Sequence, residues 1–405
     1  MGHLLGIRIR NYKALRDVVL GKYEYDKEKD YLPALTCLIG PNGSGKSTVL
    51  DAFGFLADCL AENVEAACDK PHRGGFESLR TKGQTGPIEF DLYYREDKSS
   101  RPISYSLGVE LKDDVPVVAW ETLKQRRKGQ KHGRPYPFVK LEHGEGTAWS
   151  GQSTAAGEGN ESDSVKLDDP RKLGITTLGQ LKQHPRILGL RAFIEGWYLS
   201  YFLPDAARTL PTAGAQKHLN RTGDNLANVV QYMERRQAEF NKVLSKIARR
   251  IPGIRTIKTT RSADGRLLVA FNEQGFKDPF YAANMSDGTL KMFAYLLLLE
   301  DPEPRPFIGI EEPENGLYHR LLPRLAEEFK GHAASRDTNV LVTTHSPYLV
   351  DALSPEQVWL AQRDDRGHAE LTRAADIKGV RELVDEGLAL GGLWYSNHFH
   401  DRVSP

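Results

Sequence analysis

The sequence predicts an α/β fold, a mixed sheet with flanking helices, interrupted by an inserted region of strands and a long helix. Three observations predict it. An apolar strand, Leu35-Thr-Cys-Leu-Ile39, runs into Gly40-Pro-Asn-Gly-Ser-Gly45-Lys46-Ser47-Thr48 and then into a segment of helical period. Two more apolar runs, Phe307-Ile-Gly-Ile310 and Leu341-Val-Thr-Thr344, each lead into polar or acidic residues. Strands buried on both faces read as continuous apolar runs, and open α/β sheets bind ligands at the carboxyl ends of such strands.

The elements follow in chain order. Leu5, Ile7 and Ile9 alternate with Gly6, Arg8 and Arg10, a strand of period two. After the glycine-rich loop, Val49, Phe53, Leu56, Leu60, Val64 and Ala67 fall at steps of three and four, which predicts one amphipathic helix. Ile88–Tyr93, Ile103–Val109 and Val117–Trp120 read as closely spaced strands of an antiparallel sheet. Residues 144–169, rich in Gly, Ser and acids, predict a mobile loop. Leu226, Val229, Val230, Met233, Phe240, Val243, Leu244 and Ile247 predict a long helix over 226–251, ended by Pro252-Gly253. The resulting division is an N-terminal lobe at 1–95, an insertion or lid at 96–255, a C-terminal lobe at 256–355 and a tail at 356–405. The tail is aromatic (Trp394, Tyr395, His398, Phe399, His400) and is expected to pack on the head or to bind a partner.

Composition excludes several classes. Lys and Arg number 55 against 54 acids, so no global charge marks a nucleic-acid coat protein. Three cysteines, Cys37, Cys59 and Cys68, form no C-x-x-C pair and predict reduced thiols in a cytoplasmic protein. The apolar run Phe293–Leu299 is far shorter than the roughly 20 residues of a membrane span. No membrane association is expected.

The glycine-rich loop fits G-x-x-x-x-G-K-[ST] between a strand and a helix. Glycines let backbone N–H groups wrap phosphates, and the helix N-terminus adds partial positive charge. Asn42, Gly43, Ser44, Gly45, Lys46, Ser47 and Thr48 are therefore the candidate phosphate cradle. Lys46 is expected on the β- and γ-phosphates of ATP, and Ser47 on Mg²⁺. The competing explanation is a plain glycine-rich turn. At the end of the second apolar run, Glu311 is the candidate metal support and Glu312 the candidate group that polarises the attacking water. His345, after the third run, is the candidate contact to the γ-phosphate or the water. Ser286 in Asn284-Met-Ser-Asp-Gly288-Thr-Leu reads first as the N-cap of an apolar helix.

The order of these blocks resembles the ABC-type ATPase heads, and more narrowly the RecF/SMC-related stand-alone ATPases close to the OLD-type ATPase domain. Ile9-Arg-Asn-Tyr-Lys13-Ala-Leu and His72-Arg-Gly-Gly-Phe-Glu-Ser-Leu79 match that group. The resemblance covers most of residues 1–95 and 280–355 and implies a P-loop NTPase of ABC/SMC-head type. In that family two heads sandwich two ATP molecules. Carried over, Ser286 and Gly288 would meet the γ-phosphate of the other subunit, and Asn315 and Gly316 would lie in the loop crossing the seam. Three departures stand out. Glu311 replaces the usual Asp, Ser-Asp-Gly-Thr replaces the transporter's Ser-Gly-Gly-Gln, and the Q-loop glutamine has only Gln84 as a candidate.

The resemblance implies ATP hydrolysis with Mg²⁺, homodimerisation through the ATP sandwich and control of a separate effector. OLD-type proteins carry a Toprim nuclease, whereas only about fifty residues without an acidic metal cluster follow Ser354. A nuclease-like effector encoded nearby, in prokaryotic antiviral defence, is thus the leading expectation. The alternatives are a RecF-like repair ATPase binding DNA and a slowly hydrolysing, ATP-dependent dimerisation module. DNA or RNA contact has two candidate surfaces: the basic run Lys124–Arg134, which also fits a solvated hairpin tip, and Arg235, Arg236, Lys242, Lys246, Arg249 and Arg250 on the long helix.

Overall fold

The structure, a computed structural model, describes residues 2–23, 30–127, 129–130, 134–149, 153–154, 157–158, 162–251 and 253–399. A six-stranded sheet carries the motifs. Its order is β12 (Tyr198–Ser200), β16 (Phe307–Glu311), β17 (Asn339–Thr344), β3 (Leu35–Ile39), β18 (Val358–Arg363) and β19 (Ala369–Arg373). All neighbours pair in parallel except β18 and β19. Successive side chains of a strand point to opposite faces, and here both faces are apolar. Cys37, Ile308, Val342 and Leu360 enter one core, while Leu38, Phe307, Leu341 and Trp359 enter another. The sheet is the wall between two cores.

The second core is closed by an eight-stranded antiparallel sheet. It contains β1 (His3–Tyr12), β2 (Leu15–Gly21), β4 (Ile88–Arg95), β5 (Ile103–Lys112), β6 (Val115–Gln125), β7 (Tyr136–Glu142), β8 (Glu145–Trp149) and β11 (Ser162–Lys166). The helix α1 (Lys46–Ala61) lies between the sheets: Phe53 stacks on Phe307 at 4.6 Å and Phe55 on Phe90 at 5.6 Å. Beside it lie α2 (Val64–Cys68), α3 (Phe76–Leu79), α4 (Gly174–Leu178) and α5 (Pro185–Glu195). A small pair, β9 (Ser153–Thr154) and β10 (Gly157–Glu158), stands apart from the large sheets.

The first core is covered by α6 (Pro204–Ala207), α7 (Leu226–Glu234), α8 (Gln237–Arg250), α9 (Asp287–Leu299), α10 (Leu322–Arg336), α11 (Pro347–Val350), α12 (Val380–Asp385) and α13 (Leu390–Tyr395). A three-stranded sheet of β13 (Ile254–Arg261), β14 (Leu267–Glu273) and β15 (Phe280–Tyr281) packs under α7. Of the tail, Leu393 and Phe399 are buried in this core, Tyr395 is exposed, and His400 lies outside the described residues. Among the described residues no helix is long and apolar enough to cross a membrane.

Several expectations need correction. The single helix expected through Ala67 ends at Ala61, because Asn63 adopts extended backbone and caps α2 by accepting the Ala66 N–H (2.8 Å). The helix expected over 226–251 is two helices, since Arg236 (φ −105°, ψ 61°) leaves the helical region between them. The apolar stripe steps seven residues from Met233 to Phe240, so periodicity hides the break. The loop expected over 144–169 contains β8 and β11, paired from Glu145↔Lys166 to Trp149↔Ser162. The expected boundary at 95/96 falls in the hairpin between paired β4 and β5. β12, from inside the expected insertion, is an edge strand of the parallel sheet. The start of the basic run lies in β6, and Lys128, Lys131 and His132 lie outside the described residues. On α8, Arg250 is paired with Glu300 (2.8 Å) and Glu328 (3.0 Å).

One buried acid ties the antiparallel sheet to the start of α4. Glu121 on β6, 1% exposed, accepts the N–H groups of Gly174 and Ile175 at the start of α4 and the Tyr105 hydroxyl (3.0 Å). Burial pushes its carboxyl up from 4.5 to about 7, against the pull of those three donors. Between these values the folded chain holds more protons than the unfolded chain, so this group makes stability fall as pH rises from 4.5 to 7. Glu121→Ala leaves two buried N–H groups without an acceptor. It is expected to lower urea stability by about 3 kcal/mol and to flatten that slope. An unchanged slope would assign the pH dependence to other groups.

Candidate functional site

Three loops leave the carboxyl edge of the parallel sheet side by side. The first follows β3. Gly43 (φ 77°) and Gly45 (φ 105°) occupy left-handed backbone that lets the loop curl around an anion. A Cβ on Gly40 would sit 2.2 Å from the Ala361 carbonyl, so the loop is pressed against β18. Lys46 is almost buried and donates to the carbonyls of Gly40 (2.8 Å) and Pro41 (2.9 Å). Burial pushes its pKa down, and Glu312, Glu314 and Glu311 pull it back. Asn42 and Ser47 are exposed at the mouth, while the Ser44 hydroxyl is buried and has no hydrogen-bond partner among the described residues. A lysine parked on loop carbonyls, an orphaned hydroxyl and a glycine curl fit a nucleoside triphosphate and its magnesium ion.

The second loop follows β16. Glu311 is the last strand residue, and Glu312 turns sharply at φ 41°, a region few non-glycine residues adopt. Its N–H donates to Thr343 O (2.9 Å), which holds the turn against β17. Asn315 Nδ2 donates to Glu312 Oε2 (2.9 Å) and fixes that carboxylate.

The third loop follows β17. His345 Nδ1 lies 3.6 Å from Glu312 Oε1 and 3.4 Å from Glu314 Oε1. Glu314 is the residue that sequence reasoning passed over. It is buried, and its Oε1 accepts the Thr344 hydroxyl (2.7 Å) and the His345 N–H (2.7 Å). The second loop thereby clamps the third. Only its place among three acids in four residues marked it in the sequence.

Ser286 caps α9 by accepting the Thr289 N–H (3.2 Å). Asp287 is ion-paired with Arg208, which also donates to Met285 O (2.9 Å). The neighbours of Gly288 are Gly316 and Leu317, and a Cβ there would meet the Gly316 carbonyl at 2.7 Å. One turn on, the buried Lys291 donates to Asn315 O (2.9 Å) and Glu312 O (3.3 Å). The start of α9 is thus fastened to the loop that carries Glu312.

Gln84, the candidate Q-loop residue, is not among the residues that line the cavity at Ser47 and Glu311. It lies in the turn before β4, its N–H on Thr81 O (3.0 Å). The strand beside β16 is β12, and its end supplies Ser200 and Tyr201 to a cavity shared with Ser47 and Glu311. Lys13 and the His72-Arg73 segment converge on Asp51 of α1. Lys13 Nζ lies 2.7 Å and Arg73 Nε 3.0 Å from it, and the Tyr12 hydroxyl donates to it (2.7 Å). Arg73 is buried and also pairs with Asp58 (2.7 Å), so it holds α1 in place.

Comparison with known proteins agrees with this architecture. The family described as "AAA domain, putative AbiEii toxin, Type IV TA system" matches residues 35–351, and the chain belongs to it. An SMC head bound to the C-winged helix domain of ScpA aligns with a TM-score of 0.54 at 14% identity, covering 91% of this chain and 97% of that one. An SMC head with an extended coiled coil, bound to the C-terminal domain of ScpA from Pyrococcus furiosus, aligns with a TM-score of 0.51 at 13% identity, covering 95% and 99%. Structural maintenance of chromosomes protein 1B of Mus musculus is 34% identical over 80 residues, which are 18% of this chain and 6% of that protein. The fold is therefore the SMC-head-like P-loop NTPase fold, and the chain is an AAA-type ATPase domain.

The clamp is open to test. Glu314→Ala leaves the Thr344 hydroxyl and the His345 N–H without their acceptor and is expected to cost about 2–4 kcal/mol in urea unfolding. Glu314→Gln keeps an acceptor oxygen and should lose less than half of that. Equal losses would mean that charge, not acceptor geometry, holds the loop.

Proposed function

We propose that this chain hydrolyses ATP with Mg²⁺, closes as a homodimer around two ATP molecules, and passes that closure to a separate effector in prokaryotic antiviral defence. The observation that carries the reading is the convergence of Lys46, Glu312 and His345 on one sheet edge, with Glu312 held by Asn315 and His345 within 3.6 Å.

In this reading Lys46 leaves the carbonyls of Gly40 and Pro41 for the β- and γ-phosphates. Asn42, Gly43, Ser44, Gly45 and Thr48 would line the phosphates, and Ser47 and Glu311 would hold the metal. When bound, magnesium would supply neutralisation of phosphate charge. Glu312 accepts a proton from the water that attacks the γ-phosphorus, as the bond to ADP breaks. His345 contacts the γ-phosphate. Ser286 and Gly288 complete the site of the other copy, because α9 presents a helix N-terminus, an anion site in its own right. Its cis neighbours, Gly316 and Leu317, belong to the loop that carries Glu312.

The defence part of the reading is supported by the matched family's description, which names a type IV TA system. The SMC heads, which carry a bound ScpA domain, support partner binding by such a fold. The partner here is read as a nuclease-like chain, controlled in response to nucleic acid or phage.

Glu312→Gln is expected to lower ATP turnover by about 10² or more. Its mass in solution, measured by light scattering, should double when ATP and Mg²⁺ are added. Undiminished turnover would remove Glu312 from the chemistry, and a monomer that binds ATP without doubling would end the dimer reading.

A further inference from the structure

A cavity of about 500 Å³ opens beside the phosphate loop on the side of Ser47 and Glu311. Three basic side chains stand in its wall, Lys13, His72 and Arg221, beside the acids Asp51 and Glu311. Two of them already face an acid within the chain. Lys13 Nζ is 2.7 Å from Asp51 Oδ2, and His72 Nε2 is 3.4 Å from Asp51 Oδ1. Arg221 is exposed, and among the described residues its side chain has no hydrogen bond or ion pair. Its charge is nevertheless felt at His72, where burial first and then Arg73 and Arg221 push the imidazole pKa down.

The mounting of Arg221 is stiff. β12 pairs with β16 from Tyr198↔Ile308 to Ser200↔Ile310, so the next residue, Tyr201, comes level with Glu311. The Tyr201 N–H donates to Arg221 O (2.9 Å), and the Leu203 N–H to Thr222 O (3.1 Å). Asn220 closes the turn: its Oδ1 accepts the Gly223 N–H (2.7 Å) and its own N–H donates to Asn225 Oδ1 (2.9 Å). Gly223 sits at φ 83°, where a Cβ would meet Phe202 at 2.3 Å. An arginine without a charged partner among the described residues is thus carried on a braced turn in the wall of the cavity that Glu311 also lines.

We propose that Arg221 contacts the terminal phosphate of the nucleotide bound to its own chain, as a further catalytic residue that steadies charge on the transferring phosphoryl group. The proposal rests on the nucleotide site proposed above. A guanidinium presents a planar fork of donors that matches phosphate oxygens two at a time. With Glu311 engaged by the metal and its waters, the counter-charge available to Arg221 is the γ-phosphate. An arginine in that role is worth orders of magnitude in phosphoryl transfer.

The test compares parent, Arg221→Ala and Arg221→Lys proteins. Binding of ADP with Mg²⁺ is measured by calorimetry, together with trapping of ADP by Mg²⁺ and aluminium fluoride and steady-state ATP turnover. Because Arg221 is exposed, the variants are expected to melt with the parent. Arg221→Ala should keep ADP affinity within about twofold, lose trapping by about tenfold or more, and lose about 10²-fold in turnover, with Arg221→Lys between. Trapping and turnover equal to the parent would overturn this inference alone. A parent that binds no nucleotide would overturn the underlying site and this inference with it.

Discussion

The site depends on the register in which β3 is held between two strands more than three hundred residues away in sequence. β17 pairs with it from Val340↔Leu35 to Thr344↔Ile39, and β18 from Val358↔Cys37 to Leu360↔Ile39. Because all three run parallel, Gly40 and His345 leave the sheet at the same level, and β16 brings Glu311 level with Thr343. A slip of one residue would exchange the two faces. Cys37 and Val342 would enter the core of α1, and Leu38 and Leu341 the opposite one. Two apolar cores therefore enforce the alignment that the polar loops use.

On that platform the loops are cross-braced rather than merely adjacent. Glu314 joins the loop after β16 to the loop after β17, and Asn315 orients Glu312 within its own loop. Lys291 joins α9 to the same segment through two carbonyls, and Gly288 packs against it with no room for a side chain. Arg208, at the end of α6, fastens the residues that begin α9. Ser286 is thus joined through α9 to the backbone that positions Glu312.

The antiparallel sheet serves a different end. Together with α1 it closes the second core, and the buried Arg73, paired with Asp51 and Asp58, keeps α1 from rotating. The motif residues Asn11 and Lys13 belong to this scaffold. Asn11 Nδ2 donates to the carbonyl of Pro87 (2.9 Å) and, more weakly, to that of Gly86 (3.2 Å), while Lys13 braces Asp51. Residues that recur near a phosphate loop need not touch phosphate.

Local chemistry was legible wherever one residue type has one physical use. The glycine curl before Lys46, the Ser286 cap and the apolar strands that end at Ile39, Glu311 and Thr344 could all be read from the chain. Periodicity failed where a stripe continues across a break, as at Asn63 and Arg236, because a cap or a single non-helical residue leaves spacing intact. It also failed for β12, whose three residues are too few to show a pattern. So the sequence by itself determined the ends of the apolar strands, the glycine-rich loop and the Ser286 cap, since these depend on neighbours a few positions away. Only the tertiary structure decided that Glu314 clamps His345, that Lys291 holds the Glu312 loop and that Tyr201, not Gln84, lines the cavity beside Ser47 and Glu311. Those facts follow from parallel pairing between segments far apart in sequence, and local preference carries no record of such pairing.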